Sequence, residues 1–352
     1  MKQELQSIVW HVTNRCNLNC KYCSTASSIN SDYGLSTKQL LAITKQINLN
    51  KIKHVAITGG EPFLRDDLPT IIENIDDVIN INIDTNGTLL KEKWSDIYNK
   101  VHHFSISIDS INDIHDKLRS GLNKSIKTIE WLISKGIKTG TTITVSDENK
   151  KSLIETLVFL NNIGVKIVGI NRIRKLGRNT GNYTIHHDDE LDNIIIDAYN
   201  YCNENDIIIK LSGWYSEKIF NKIENPYLPS CYCGFYRATI RHDGYFLPCQ
   251  LLVYPKEFEI VKNWYKIPNI SEADINKLFN ESKIFDDFRR ATTKIIPKGC
   301  SNCGFFNKCN HGCRAESWLN GYNLYGPNIN CEISLSNYMK TTTHNTKYSK
   351  KQ

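Results

Sequence analysis

The sequence predicts an α/β fold, a parallel sheet wound with helices in the manner of a βα barrel, followed by a cysteine-rich region of irregular structure. Three observations carry that reading. Short β-branched runs alternate with longer amphipathic stretches from residue 7 to about 170. The alternation then breaks down into aromatic, proline- and cysteine-rich sequence from about Pro226 to Cys331. The cysteines follow the same division, with three before residue 24, one at 202 and eight between 231 and 331.

Six runs read as strands of βα units: SIVWHVT from Ser7, HVAIT from His54, INIDT from Ile81, HFSISID from His103, KTGTTITV from Lys138 and VKIVGI from Val165. Between them, residues 36–49 carry a helical pattern opened by a Ser36/Gln39 capping box, and 150–163 carry another that stops at Gly164. An acidic-capped helix from Asp188 and a strand-like IIIKL from Ile207 follow. A boundary is expected near 212–225, dividing the chain into a core of residues 1–215, a cysteine-rich domain of 216–335 and a disordered polar tail of 336–352. No repeat of fixed period is present.

At 352 residues the chain is long enough for one large or two modest domains and a sizeable core. Hydrophobic residues at 40% and charged residues at 23% are ordinary for a soluble globular protein. No apolar run approaches the roughly 18 residues of a spanning helix, and the start of the chain lacks the apolar stretch of a secretory signal. We therefore expect a cytoplasmic protein with reduced thiols and no membrane partner. Lys and Arg number 44 against 37 Asp and Glu, a net charge of +7, but four of the lysines, Lys340, Lys347, Lys350 and Lys351, sit in the tail. Without a concentrated basic stripe or a nucleic-acid motif, no nucleic-acid partner is expected.

The first cysteine group, Cys16, Cys20 and Cys23 in CNLNCKYC, falls in the loop after the first strand. A disulfide would leave an odd thiol in a reducing compartment. Zinc would want a fourth ligand, and His11 is the only histidine nearby. A cubic 4Fe–4S cluster would be held by three thiolates with one iron left open. Spacing alone leaves zinc and iron–sulfur both open. The second strand ends in Gly59-Gly60-Glu61-Pro62, where two glycines permit close approach to the backbone. The third ends at Asn86 and Gly87, and the fourth carries Ser107 and Asp109. In a parallel βα barrel all these strand ends open on one face, where active sites form.

Together, CxxxCxxC after the first strand, GGEP after the second and the later TNG and SID elements resemble the radical S-adenosylmethionine (SAM) enzymes over most of the first 180 residues. The resemblance implies a partial (β/α)6 TIM-type barrel. It implies that Cys16, Cys20 and Cys23 bind a catalytic 4Fe–4S cluster, and that Gly59, Gly60 and Glu61 meet SAM on its open iron. Asn86, Ser107 and Arg119 are further candidates for SAM contact, each competing with an ordinary capping or surface role. Asp109, at a barrel strand end, is a candidate proton acceptor that could equally cap the following helix.

The C-terminal third contains Cys231, Cys233, Gly244 followed after four residues by Cys249, then Cys300-x2-Cys303-x5-Cys309-x3-Cys313, and finally Cys331. Eight soft ligands suffice for two four-thiolate sites, and zinc ribbons also use such spacing. The order resembles the SPASM extension of radical SAM enzymes that mature peptides and sulfatases, including the pyrroloquinoline quinone and mycofactocin maturases. By that resemblance one auxiliary 4Fe–4S cluster takes Cys231, Cys233, Cys249 and Cys313, and the other takes Cys300, Cys303, Cys309 and Cys331, for three clusters in all. The CxC spacing of Cys231 and Cys233 is tighter than the gap the resemblance leads one to expect. Cys202, inside AYNYCNEN, has no partner of suitable spacing and reads as an ordinary half-buried thiol.

The chemistry implied by the resemblance is reductive cleavage of SAM to a 5′-deoxyadenosyl radical and abstraction of hydrogen from an unreactive C–H bond. The expected function is oxidative modification, as by a cross-link, of a ribosomally made peptide or protein. An electron donor such as flavodoxin or ferredoxin is implied. Only fifteen residues precede Cys16, too few for a leader-binding domain, so a separate leader-binding protein or an exposed sheet edge is expected to capture the substrate. The alternatives are a small-molecule enzyme acting on a tetrapyrrole side chain or sugar alcohol, and, remotely, a zinc-binding interaction module.

Overall fold

A computed structural model describes residues 3–214, 216–223, 232–293, 296–297, 299–309, 312–321, 323–328 and 331–343. Seven parallel strands occupy the positions the sequence predicts: β1 (Ser7–Thr13), β2 (His54–Gly59), β3 (Asn80–Thr85), β4 (Val101–Ser107), β5 (Thr139–Val145), β6 (Ile167–Arg172) and β7 (Ile208–Ser212). The strand-like run from Ile207 is thus a full member of the sheet. They lie side by side in chain order, which is the arrangement successive βα units produce. β1 and β7 do not pair, so the barrel is partial. Beyond β1 the sheet continues into β8 (Arg237–Ile240), parallel to β1, and β9 (Phe246–Leu247), antiparallel to β8. The nine-stranded sheet therefore carries the start of the cysteine-rich region as an extension of the barrel wall.

The helices form where the sequence places them. The first, Thr37–Leu49, is entered through Ser36, whose N–H donates to Gln39 Oε1 at 3.0 Å. Asp188 caps the helix Asp189–Glu204 by accepting the Leu191 N–H at 2.8 Å. The helix Leu153–Asn162 ends at Gly164, which adopts φ +93°.

The period-two pattern of the strands determines what each face of the sheet does. Ile8, Trp10, Val12, Ile57, Ile83, Ile106, Ile143 and Ile170 are buried in one core with helix residues such as Leu40, Ile43, Ile129, Leu132 and Leu160. The alternate positions, among them His11, Thr58, Asp84, Ser105, Ser107, Thr142 and Asn171, line a cavity instead. A closed barrel fills its interior with branched aliphatic side chains. Here the small polar residues leave it open. Cys202 is fully buried in the helix core, more deeply than the half-buried setting expected. No helix among the described residues is long and apolar enough to cross a membrane.

Candidate active site

Cys16, Cys20 and Cys23 lie on the β1–helix loop, and their side chains border one cavity of about 350 Å³ at the C-terminal ends of the strands. The loop has little regular structure of its own, so its backbone is held from outside. The Cys16 N–H donates to Ser28 O at 3.0 Å and the Lys21 N–H to Leu118 O at 2.9 Å. Arg178, beyond β6, donates to both Cys20 O and Ser27 O, while its own N–H donates to Cys23 O at 2.9 Å. Gly177 packs so closely on this loop that a Cβ would stand 1.9 Å from Ser24 O.

The Gly-Gly-Glu segment also works on this loop. Gly60 N–H donates to Thr13 O at 2.8 Å and Glu61 N–H to Arg15 O at 2.7 Å, carrying the β1–β2 pairing up to the residue before Cys16. A Cβ at Gly59 or Gly60 would lie 2.2 Å from Thr13 O or 2.0 Å from Arg15 O. The glycines admit the chain's own backbone, and they line the cavity as well. Glu61 does not line it. Fully buried, its carboxylate accepts from Phe63 N–H, Thr85 Oγ1 and Asn86 N–H at 3.1, 2.7 and 2.9 Å, binding the end of β2 to that of β3. Burial raises its pKa against those three donors.

Asn86 lines the cavity and stands beside the cysteine loop. Its Nδ2 donates to Asn17 Oδ1 at 3.0 Å and lies 4.0 Å from Cys16 Sγ. Ser107 and Arg119 also line the cavity. Asp109 does not. Its Oδ1 accepts the Thr144 N–H at 2.9 Å, and its Oδ2 accepts from Arg119 Nε at 3.0 Å and from the Tyr22 hydroxyl. Burial pushes the Asp109 pKa up, but the Arg119 charge and these donors hold it below the usual carboxylate value. With both oxygens engaged, Asp109 positions Arg119 and Tyr22 rather than facing the cavity.

Burial pushes the Cys16 thiol up to about 12, with Glu61, Cys20 and Cys23 adding to the shift against the Leu18 N–H. Three mutually interacting thiols beside a cavity are a donor set that fits a cluster with one corner left for a small molecule. His11, in the same cavity, is held neutral by burial, its pKa lowered to about 3. Among the described residues no three His, Cys, Asp or Glu side chains form a single-ion site.

In the C-terminal region Cys309 lies within electrostatic reach of Cys331 and Cys300, and Cys331 within reach of Cys300 and Cys303. Burial raises Cys309 to about 12, with Cys331 and Cys300 adding to it, and raises Cys331 to about 11, with Cys300 and Cys303 adding to it. Cys249 leads into Gln250, Leu251 and Tyr254, which wall the same cavity as the first cysteines. Cys16, Cys20, Cys23, Cys202, Cys249, Cys300, Cys303, Cys309 and Cys331 form no disulfide. Cys231 lies outside the described residues.

Comparison with known families agrees with both cysteine regions. The Radical SAM superfamily profile matches residues 10–160, and the SPASM iron–sulfur cluster-binding profile matches residues 231–304. The chain thus contains a radical SAM domain followed by a SPASM domain. It is 24% identical over 252 residues to the sporulation killing factor maturation protein SkfB of Bacillus subtilis, covering 70% of this chain and 60% of that protein. It is also 28% identical over 182 residues to the pre-heme d1 synthase of Dinoroseobacter shibae, covering 50% of this chain and 45% of that enzyme. The chain thus spans less than two thirds of the length of these curated relatives.

Among solved structures, Streptococcus suis SuiB bound to S-adenosylmethionine superposes with a TM-score of 0.74 at 17% identity, covering 94% of this chain and 78% of SuiB. The structure of anSMEcpe with bound AdoMet and Cp18Cys peptide gives 0.70 at 18% identity, covering 96% and 97%. These likenesses show that the chain shares the fold of those structures.

Several residues of this site have no signal in short motifs. Tyr22 sits unmarked inside the cysteine motif, and Arg178 and Arg174 lie in a connection that only the glycines of KLGRNTG could have flagged. Gln250 and Tyr254 become part of the site only because the C-terminal region folds over the barrel mouth.

Proposed function

We propose that this protein is a peptide maturase that oxidatively modifies, by cross-linking, a ribosomally made substrate. The observation that carries the reading is the shared cavity. Cys16, Cys20 and Cys23 border one side of it, and the segment leaving Cys249 forms another. A substrate held there would sit between two thiol-rich centres, as a net oxidation requires. SkfB, a maturation protein, and the peptide-bound SuiB and anSMEcpe structures support the peptide class.

When bound, SAM and the first cluster supply a 5′-deoxyadenosyl radical for hydrogen abstraction, and the two auxiliary clusters supply an electron acceptor. In this reading Cys16, Cys20 and Cys23 hold the first cluster. Cys231, Cys233, Cys249 and Cys313 hold one auxiliary cluster, and Cys300, Cys303, Cys309 and Cys331 the other. Gly59, Gly60, Asn86, Ser107 and Arg119 contact SAM, while Glu61 fixes the strand ends behind it. The polar strand faces orient the substrate, and Leu251 and Tyr254 restrict water at the mouth. Residues 1–215 form the radical SAM core and 216–335 the SPASM domain. The protein works in the cytoplasm with a flavodoxin or ferredoxin as donor, and a separate protein presents the leader.

The pre-heme d1 synthase similarity favours a second reading, a small-molecule substrate. The two readings separate on anaerobic turnover with a short precursor peptide encoded beside the gene. The peptide reading predicts a product lighter by about two mass units, because two hydrogens leave. A peptide recovered unmodified while a tetrapyrrole is turned over would overturn it.

A further inference from the structure

Asp84 projects from β3 into the cavity, where its side chain is accessible. His11 and Thr58 are partners across β1 and β2, Asp84 and Ser105 across β3 and β4, and the Ile57–Ile83 pairing sets Thr58 beside Asp84 one residue further on. Four polar side chains on adjacent strands thus form one row, about 4.8 Å from strand to strand, and all four line the cavity. Among the described residues that line it, Asp84 is the one carboxylate.

Its neighbours leave that charge unanswered. Among the described residues none hydrogen-bonds to it or stands within ion-pair distance, and the Lys210 charge, from β7, acts on it at longer range. Thr58 and Ser105 are neutral hydroxyls, Ser105 Oγ lying 2.8 Å from Thr142 Oγ1, and His11 is held neutral by burial. The arginines of the cavity serve other partners. Arg119 Nε donates to Asp109 at 3.0 Å, Arg174 Nε to Glu316 at 2.7 Å and Arg172 Nη2 to Ile185 O at 3.3 Å. A desolvated carboxylate without a partner is costly, and a cation that arrives with hydrogen-bond donors relieves that cost.

We propose that Asp84 selects the substrate by receiving one lysine or arginine side chain of the peptide. This rests on the peptide maturase reading given above. Ammonium and guanidinium groups both bring several N–H donors, and their hydrogen bonds to a carboxylate are charge-assisted. The hydroxyl groups of Thr58 and Ser105 flank the carboxylate without adding a positive charge that would repel the incoming one. Asp84 stands two residues before Asn86, about 7 Å along β3, and Asn86 Nδ2 lies 4.0 Å from Cys16 Sγ. A basic side chain held at Asp84 therefore anchors the peptide beside the cysteine loop.

The test is binding of the fluorescently labelled precursor peptide encoded beside the gene to anaerobically reconstituted full-length protein, with iron per chain measured first. Each Lys and Arg of the peptide's modified segment is replaced in turn by norleucine. One replacement should weaken binding to the unsubstituted protein by roughly ten- to a hundredfold, the worth of a hydrogen bond to a charged group. Asp84→Asn should weaken binding of the natural peptide by the same factor, and combining the two changes should cost nothing more, whereas independent losses would add. A modified segment lacking Lys and Arg, unchanged affinity in Asp84→Asn, additive losses at every position, or lost SAM affinity in place of peptide affinity would overturn the proposal. If Asp84→Asn fails to take up iron, the peptide series decides by itself. Undiminished binding of a peptide with norleucine at every Lys and Arg of that segment overturns the proposal, and a tenfold loss upholds it. If the unsubstituted protein binds no precursor peptide, the maturase reading fails and this proposal falls with it.

Discussion

Arg119 Nε donates to Asp109 Oδ2 at 3.0 Å, and the Tyr22 hydroxyl, from within the cysteine motif, donates to the same oxygen. The pair thus ties the end of β4 to the loop that carries Cys20. Breaking a buried pair by removing one charge costs about 3–5 kcal/mol, because the other charge is left uncompensated. Asp109→Asn should lower stability by that order in chemical denaturation and weaken iron retention by the first three cysteines. A variant of unchanged stability and iron content that cleaves SAM but forms no product would instead restore Asp109 as a proton acceptor.

Gly60→Ala tests the Gly-Gly-Glu segment as a backbone clamp. A methyl group 2.0 Å from Arg15 O cannot be accommodated unless β1 and β2 separate just before Cys16. Overpacking should cost roughly 1–3 kcal/mol or more. Loss of SAM binding in calorimetry should accompany a drop in melting temperature. Lost binding at full stability would mean the glycine serves SAM alone.

Arg178→Ala removes the donors to Cys20 O and Ser27 O without touching a thiol. Iron after reconstitution should fall from about twelve per chain toward about eight, four for each of two remaining clusters. An undiminished count would show that the loop holds its shape without this clamp.

Asp84 faces the cavity from β3, where its side chain is accessible, and desolvation within that enclosure raises its pKa to about 6 from 3.8, with Lys210 opposing. Because the folded value is raised, protonation favours the folded state, and that contribution is lost as pH rises from about 4 through 6. Asp84→Asn should therefore gain in melting temperature relative to the unsubstituted protein as pH climbs through that window. A difference independent of pH would contradict the shift.

Much of this was legible in the sequence because local chemistry dictated it. The strands of alternating Ile and Ser or Thr, the Ser36 and Asp188 caps and the cysteine spacings all act over a few residues. The roles of Glu61 and Asp109 were not legible. Each looks like a cavity-facing acid by position, yet each carboxylate is consumed by donors from other segments, Thr85 and Asn86 in one case, Thr144, Arg119 and Tyr22 in the other. Likewise Arg174 and Glu316 meet across 142 residues, a relationship no spacing encodes.

The proposed function requires Cys16, Cys20 and Cys23 to form a radical SAM centre beside the cavity. The most direct measurement is anaerobic reductive cleavage of SAM by the reconstituted chain, read as 5′-deoxyadenosine and methionine by chromatography and mass spectrometry. The unsubstituted protein and Cys202→Ala should both yield equal amounts of the two products. The variant carrying Cys16→Ala, Cys20→Ala and Cys23→Ala should yield neither. Cleavage retained in that triple variant, or absent from fully reconstituted protein, would show that these three cysteines are not a radical SAM centre.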